Sequence, residues 1–356
     1  GFVWDRRKEE GERRMDFRSD TVTRPTERMR AVMAAAPVGD DVYRDDPSVA
    51  ELERYAADLT GTEAALFACS GTMGNLLALL VHGRRGESVL LGTQSHIYHY
   101  EVGGLSALAG LLPYALDDES GLPEAASLAG AVRGRDNVHF APTSLLCLEN
   151  THKRAGGVAV SPQALGAVAE EGHRLGLKVH LDGARLFNAC AAFGVEVREY
   201  VRFVDSVQLC LSKGLGAPMG SVLCGPRGFV EEARHWRKCI GGGLRQAGVV
   251  ASAGLMALRD MRGRLAEDHE NAALLARLLS EGGLAVEPCG VRTNMVYFRL
   301  SGTGVSEGAF QKRCEERGLQ LGVAGPERIR MVTHLDVSRQ DVEAAARIVL
   351  ETVARP

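Results

Sequence analysis

Short apolar runs punctuate the first two thirds of the chain, each closed by a polar or glycine-rich turn. They are AALFAC (64–69), SVLLGT (88–93), LLCLEN (145–150), KVHLDGA (178–184), SVQLCLS (206–212) and GSVLCG (220–225). The runs are continuous rather than alternating, as expected of strands buried on both faces. Between them, apolar positions spaced by three and four predict helices over 72–82, 162–175 and 226–238. PSVAELERYAADLTG (47–61) has the same spacing and stops at Gly61. Strands alternating with helices argue for an α/β fold with a mostly parallel sheet sandwiched by helices.

The pattern changes toward the C-terminus. Residues 246–281 read as a long helical stretch without proline, a bridge out of the sheet domain. NMVYFRL (294–300) and RIRMVTH (328–334) read as strands, each followed by a helix, which predicts a small α+β domain. The expected organisation is a flexible tail over 1–14, an N-terminal arm and large domain over 15–262, and a small C-terminal domain over 263–356. One uncharged run, residues 64–81, approaches the length of a membrane span. CSGTMGN interrupts it, so it reads as strand, turn and helix.

Composition narrows the function classes. The chain has 356 residues, 45% hydrophobic and 24% charged, so it can bury a large core. A net charge of -3 gives no basic field for nucleic acid or an anionic membrane. Eight cysteines (69, 147, 190, 210, 224, 239, 289 and 314) form no CxxC pair, and most fall in apolar runs. They read as reduced, buried thiols of an intracellular protein. GFVWDRRKEEGERR mixes both charge signs, unlike a signal or transit peptide. Cytoplasm and mitochondrion both stay open.

The candidate chemistry sits at strand ends, where open α/β sheets bind ligands. Lys213 carries the only charge in VQLCLSKGLGAPMG. A lysine there is either a nucleophilic amine or a side chain reaching for solvent. Asp182 follows KVHL, with Arg185 three residues on. It suits a metal, a ribose hydroxyl or a protonated ring nitrogen, or it caps the next helix. Gly71, Thr72 and Gly74 open a helix whose free N–H groups suit phosphate, or simply make a tight turn. QSHIYHYEVGG gathers His96, Tyr98, His99, Tyr100 and Glu101, read as a metal site, a surface loop or a histidine stacked on a flat ring. GLGAPMG has the wrong glycine spacing for a dinucleotide turn. Amine, acid and phosphate cradle together match pyridoxal phosphate, with no metal called for.

Nearly the whole chain, from about Met15 onward, resembles the L-threonine aldolases of the aspartate-aminotransferase superfamily, the fold type I pyridoxal phosphate enzymes. The matching blocks, in order, are DFRSDTVTRPT, PVGDDVYRDDP, SGTMGN, HIYHYEVGG, LENTH, HLDGARLFNA, CLSKGLGAPMGS, HWRKCIGGGLRQAG and IRMVTHLDVS. The resemblance implies that Lys213 bonds the cofactor, Asp182 pairs with its ring nitrogen and His96 stacks on the ring. Gly71 and Thr72 would hold the phosphate, with Arg245 adding charge from a neighbouring subunit. Ser19, Arg185 and Arg330 would hold the substrate carboxylate, a task that calls on both domains. Tyr43, from a partner chain, and His152 would complete the site, and His96, His152 or a water would be the base. The implied reaction is retro-aldol cleavage of L-threonine or L-allo-threonine to glycine and acetaldehyde by a homodimer or homotetramer with shared sites. Rival readings are another pyridoxal reaction on the same scaffold and a silent homologue that serves in assembly.

Overall fold

Every apolar run singled out above becomes a strand. In the computed structural model, which describes residues 14–287 and 293–354, the chain divides into two compact units. One spans Thr23–Leu265; the other joins the described residues up to Val22 to those from Ala266 onward. Residues 1–13 of the expected tail, and Cys289, lie outside the described residues. The arm begins with β1 (Met15–Asp16). The large unit holds β2 (Ala64–Ala68), β3 (Ser88–Gly92), β4 (Leu112–Leu116), β5 (Thr143–Glu149), β6 (Lys178–Asp182), β7 (Ser206–Cys210) and β8 (Ser221–Gly225). Its first helices are α1 (Glu27–Ala34), α2 (Pro47–Thr60), α3 (Gly71–His82), α4 (His96–His99), α5 (Gly104–Ala107) and α6 (Ala125–Ala131). Then come α7 (Pro162–Arg174), α8 (Leu186–Phe193), α9 (Arg198–Val201), α10 (Arg227–Cys239) and α11 (Gly248–Met256).

The seven strands lie in the order β2-β8-β7-β6-β5-β3-β4. All neighbours are parallel except at β8, which runs antiparallel to both β7 and β2. Leu90, Leu146, Val179, Leu181, Val207, Leu209 and Val222 are fully buried, as expected for strands covered on both faces. Each such side chain contributes about 1.5–3 kcal/mol on burial. β4 was not expected. It forms the sheet edge, carries Pro113, and leaves Leu112 and Tyr114 exposed.

Local chemistry sets the helix ends. Asp46 caps α2 by accepting from Ser48 N and Val49 N, Pro47 opens it, and Gly61 closes it at φ 74°. Ser70 and Ser161 cap α3 and α7 in the same way. The run 64–81 is strand, turn and helix, and among the described residues no helix is long and apolar enough to cross a membrane. α3 presses unusually close to the sheet. A Cβ on Gly71 would lie 2.7 Å from Cys210 Sγ, and one on Gly74 would lie 2.6 Å from Gln208 Cγ.

The proline-free stretch 246–281 is helical but irregular. A π-helical turn at Ala257–Met261 and a 3₁₀ turn at Arg262–Arg264 separate α11 from α12 (Leu265–Glu281). The smaller unit has an antiparallel sheet, ordered β12-β13-β10-β9, made from β9 (Ala285–Glu287), β10 (Met295–Arg299), β12 (Gly322–Gly325) and β13 (Arg328–Val332). β11 (Leu319–Gln320) pairs in parallel with β1. α13 (Glu307–Glu315) and α14 (Arg339–Val353) complete it, the latter opened by a capping box of Ser338 and Asp341. Phe17, from the arm, is buried in this unit's core with Phe298, Phe310 and Met331. Five cysteines are buried as expected, whereas Cys69 is half-buried and Cys239 is exposed.

The helix–sheet contact makes a direct prediction. Gly74→Ala gains helix propensity yet drives a methyl into Gln208, which is itself buried and bonded. The variant should lose about 1–3 kcal/mol of stability, read as a lower urea midpoint at unchanged slope.

Candidate active site

The parallel sheet brings the strand-end candidates of the large unit to one edge. β6 ends on Asp182, which is buried and pairs in register with Gln208 of β7. Glu149, at the end of β5, stands opposite Asp182 on the other side. β7 ends at Cys210, and Lys213 follows in the tight connection to β8. That connection is pinned by Leu211 N to Gly220 O, Ala217 N to Leu211 O and Gly216 N to Lys213 O. Thr23 Oγ1 also donates to Lys213 O at 3.0 Å. The lysine backbone is thus fixed, and its Nζ has no hydrogen bond or ion pair among the described residues.

Asp182 is well supplied with donors. Oδ2 accepts from Asn75 Nδ2 at 2.9 Å, and Oδ1 accepts from Ala184 N at 3.0 Å and Gln208 Nε2 at 3.3 Å. Gln208 is held in turn by Ser221, whose Oγ donates to its Oε1 at 2.6 Å. Asn75 also donates to Glu101 Oε1 at 2.8 Å. His96 opens α4 with its N–H on Glu149 Oε2 at 2.7 Å and its Nδ1 2.9 Å from Glu101 Oε1. Glu101 is buried, and burial lifts its pKa. Hydrogen bonds from His96 and Asn75 oppose that lift, while the Asp182 charge adds to it.

The metal reading shifts its residues. His96, Glu101 and Asp182 each bring one donor atom within 4.8 Å of the others. His99 stands apart, with Nε2 2.7 Å from Thr93 O. Hydrogen bonds already join the three through Asn75 and the His96 ring, which is the simpler account of their approach.

His152 is buried and both its ring nitrogens are engaged. Nε2 lies 2.7 Å from Asp118 Oδ2, and Nδ1 accepts from Ala155 N at 3.2 Å. Burial opposes charging this ring, but the Asp118 hydrogen bond and the Glu149, Asp118 and Asp182 charges outweigh it and raise its pKa. Asp118 accepts from Thr93 and Gln94 as well. Burial works against its ionised form, yet the His152 bond and these donors hold its pKa below the ordinary value.

The remaining candidates are dispersed. Gly71 and Thr72 form the solvent-facing first turn of α3, beside Cys210 and Gln208. Arg185 is buried at the start of α8. Arg245 pairs with Asp40 at 2.9 Å in its own chain, on the same loop system as Tyr43, which is 74% exposed. Ser19 and Arg330 belong to the smaller unit. There Ser19 Oγ accepts from Thr21 N, and Arg330 Nη2 donates to Arg18 O at 2.9 Å while its Nε is buried without a partner.

The residues fit pyridoxal phosphate. Asp182 is a buried carboxylate with neutral donors and no cationic partner among the described residues, so a protonated ring nitrogen would complete its charge balance. The unpartnered Lys213 amine and the open first turn of α3 suit an aldehyde and a phosphate. Asn75, Gln208 and Glu101 do not stand out as a set in the sequence. Glu101, inside the HIYHYE block, and Asn75, closing the SGTMGN block, carried a signal; Gln208 carried none.

A model of the family described as beta-eliminating lyase matches residues 16–301. Low-specificity L-threonine aldolase 1 of Arabidopsis thaliana is 44% identical over 335 residues, covering 93% of this chain and 94% of that protein. Low specificity L-threonine aldolase of Escherichia coli K12 is 44% identical over 333 residues, covering 93% and 97%. The structure of Leishmania major threonine aldolase superposes with a TM-score of 0.83 over 95% of this chain and 99% of that one, at 20% identity, which shows a shared fold. With near-complete coverage at this identity, the chain belongs to the beta-eliminating lyase family and groups within it with the low-specificity L-threonine aldolases.

Proposed function

We propose that this chain cleaves L-threonine and L-allo-threonine to glycine and acetaldehyde with pyridoxal phosphate as cofactor. One observation carries the reading. A helix N-terminus, the buried Asp182 and the Lys213 amine gather at the same edge of one parallel sheet. When bound, pyridoxal phosphate supplies a covalent handle for the substrate amine and an electron sink for the pair released at Cα.

The chain's own residues take the other tasks. Lys213 Nζ would be the amine that holds the cofactor, and Asp182 would favour a protonated ring nitrogen. The N–H groups at Gly71 and Thr72 would receive the phosphate, with Arg245 adding charge near it. His96 would lie against the ring, as the resemblance implies. Arg185 binds the substrate carboxylate, and Ser19 and Arg330 are assigned the same task by the resemblance. Arginine suits it because its planar fork pairs with both carboxylate oxygens. Holding the carboxylate sets which Cα bond stands ready to break.

His96 is assigned the proton transfer. Its Nδ1 is occupied by Glu101, and no hydrogen bond reaches its Nε2 among the described residues. Nε2 takes the β-hydroxyl proton as the Cα–Cβ bond breaks and the C–O bond becomes the aldehyde, and a proton is then returned to Cα to give glycine. Both nitrogens of His152 already have partners, so it supports the site through Asp118 rather than by direct proton transfer. The exposure of Tyr43 and the surface position of Arg245 support a homodimer or homotetramer in which these residues serve a neighbouring site.

Lys213→Ala should abolish the absorbance band of the lysine-bonded cofactor, together with acetaldehyde release. Wild-type-like release from this variant, followed by coupled alcohol dehydrogenase, would sink the assignment.

The His152–Asp118 pair gives a pH prediction. The raised histidine contributes stability below its ordinary value of 6.5, lost as pH rises through its folded pKa. The lowered aspartate contributes stability above 3.8, lost as pH falls through its folded pKa. Asp118→Asn should therefore cost most between those two values, about 1–3 kcal/mol. Denaturation midpoints should draw closer to wild type as pH rises above that window.

A further inference from the structure

Behind Asp182 lies a chain of hydrogen bonds whose direction is fixed at every link. Asn75 Nδ2 faces two carboxylates, Glu101 at 2.8 Å and Asp182 at 2.9 Å. Carboxylates accept, so the amide nitrogen must point there and the carbonyl Oδ1 must point away. Oδ1 meets His180 Nε2 at 3.1 Å, and only a protonated Nε2 can serve it. His180 is fully buried, and burial pushes its pKa down to about 3, so the ring is neutral and Nδ1 is an acceptor. Ser206 Oγ, 2.9 Å from Nδ1, must donate to it. The hydroxyl then accepts from His82 Nε2 at 2.8 Å. His82 is also held neutral, its pKa pushed to about 4 chiefly by burial, and it stacks on Phe229 at 4.5 Å. The chain runs His82, Ser206, His180, Asn75, and ends as two N–H groups delivered to two carboxylates.

We propose that Asn75 is a positioning residue for the cleavage reaction: its one amide, oriented by His82, Ser206 and His180, fixes Asp182 for the cofactor ring and Glu101 for His96. The proposal rests on the function assigned above and deepens it. Asp182 needs to stay ionised to hold a protonated ring nitrogen. Glu101 needs to stay an acceptor, so that His96 keeps its proton on Nδ1 and presents a bare Nε2. One N–H for each carboxylate serves both needs, in a space where two buried negative charges would otherwise repel. The groups facing Glu101 are His96 from α4, Asn75 from α3, Asp182 from β6 and Cys147 from β5. The Cys147 thiol is pushed up by burial, and further by Asp182 and Glu101, so it stays neutral. Asn75 is thus the only neutral donor shared by the two carboxylates among the described residues.

Two variants separate this role from packing. Asn75→Ala removes both N–H groups, and Asn75→Asp keeps the shape but adds a third carboxylate. Pyridoxal phosphate titrated into the apo protein should bind about tenfold or more weakly to the alanine variant, and more weakly still to the aspartate variant. The acid limb of kcat/KM for L-threonine should move to higher pH in the alanine variant, because the ionised carboxylates lose a donor. A packing role predicts the reverse order, with the isosteric Asn75→Asp near wild type. That order, or a lower Tm with unchanged cofactor affinity and acid limb, overturns the proposal. Should neither variant fold, ¹⁵N-imidazole NMR of the wild-type apo protein decides. His180 and His82 are expected as neutral Nε2–H tautomers between about pH 5 and 8, and a proton on His180 Nδ1 overturns the proposal. A wild type that binds pyridoxal phosphate but leaves L-threonine intact would count against the assigned function alone, since the affinity and NMR arms do not depend on turnover.

Discussion

The near-contact between α3 and β7 is the constraint on which the site depends. Gly71 and Gly74 leave no Cβ between the helix and the side chains of Cys210 and Gln208. That lack of bulk lets the second turn of α3 drop Asn75 into reach of β6, where it bonds Asp182 and His180. It also leaves the first turn of the helix facing solvent above the ends of β7 and β6. A larger residue at either glycine would lift the helix and break contacts that are only 2.8–3.1 Å long. Helix propensity alone disfavours glycine here by about 1 kcal/mol, so its presence marks a geometric demand.

The second theme is negative charge held under control. Asp118, Glu149, Asp182 and Glu101 are all buried around the same strand ends. Each is supplied with N–H, O–H or imidazole partners, and no lysine or arginine side chain is bonded to any of the four among the described residues. A buried carboxylate satisfied by neutral dipoles, as Asp182 is, keeps its charge without being cancelled by it. The rim is therefore prepared for a positive group arriving from outside.

Much of this was legible in the sequence. The strands announced themselves as largely apolar runs, because a sheet covered on both faces buries most of its side chains. Caps such as Asp46, Ser70 and Ser161 were equally readable, since they work within one turn. β4 was not readable: LPYAL holds a proline and alternates exposed with half-buried positions before Leu116, which is what a sheet edge permits. Lys213, Asp182 and the SGTMGN turn could be picked out as strand-end residues with an unusual chemical fit. Their supports could not. Gln208 is an unremarkable polar letter inside an apolar run, and the place of Asn75 in the SGTMGN turn does not reveal its partners: Asn75 bonds Asp182, 107 residues away, and Glu101, 26 away, and Gln208 bonds Asp182, 26 away. The engagement of both His152 nitrogens was likewise a matter of three-dimensional register, fixed by Asp118 at the far end of another connection.

The pairing of β1 with β11 has a consequence for how the protein is made. Met15 and Asp16 find their strand partner at Leu319 and Gln320, and Phe17 fills a core built from residues beyond Ala266. During translation the arm leaves the ribosome long before its strand partner at Leu319 and Gln320 is made. Residues 23–265 can meanwhile condense as a unit from contiguous chain. The arm must wait, exposing a phenylalanine, until the last quarter of the polypeptide has emerged. Quality control of a nascent chain that stalls late would therefore meet a finished sheet domain with a loose, sticky leader, a state that a holdase chaperone is suited to recognise.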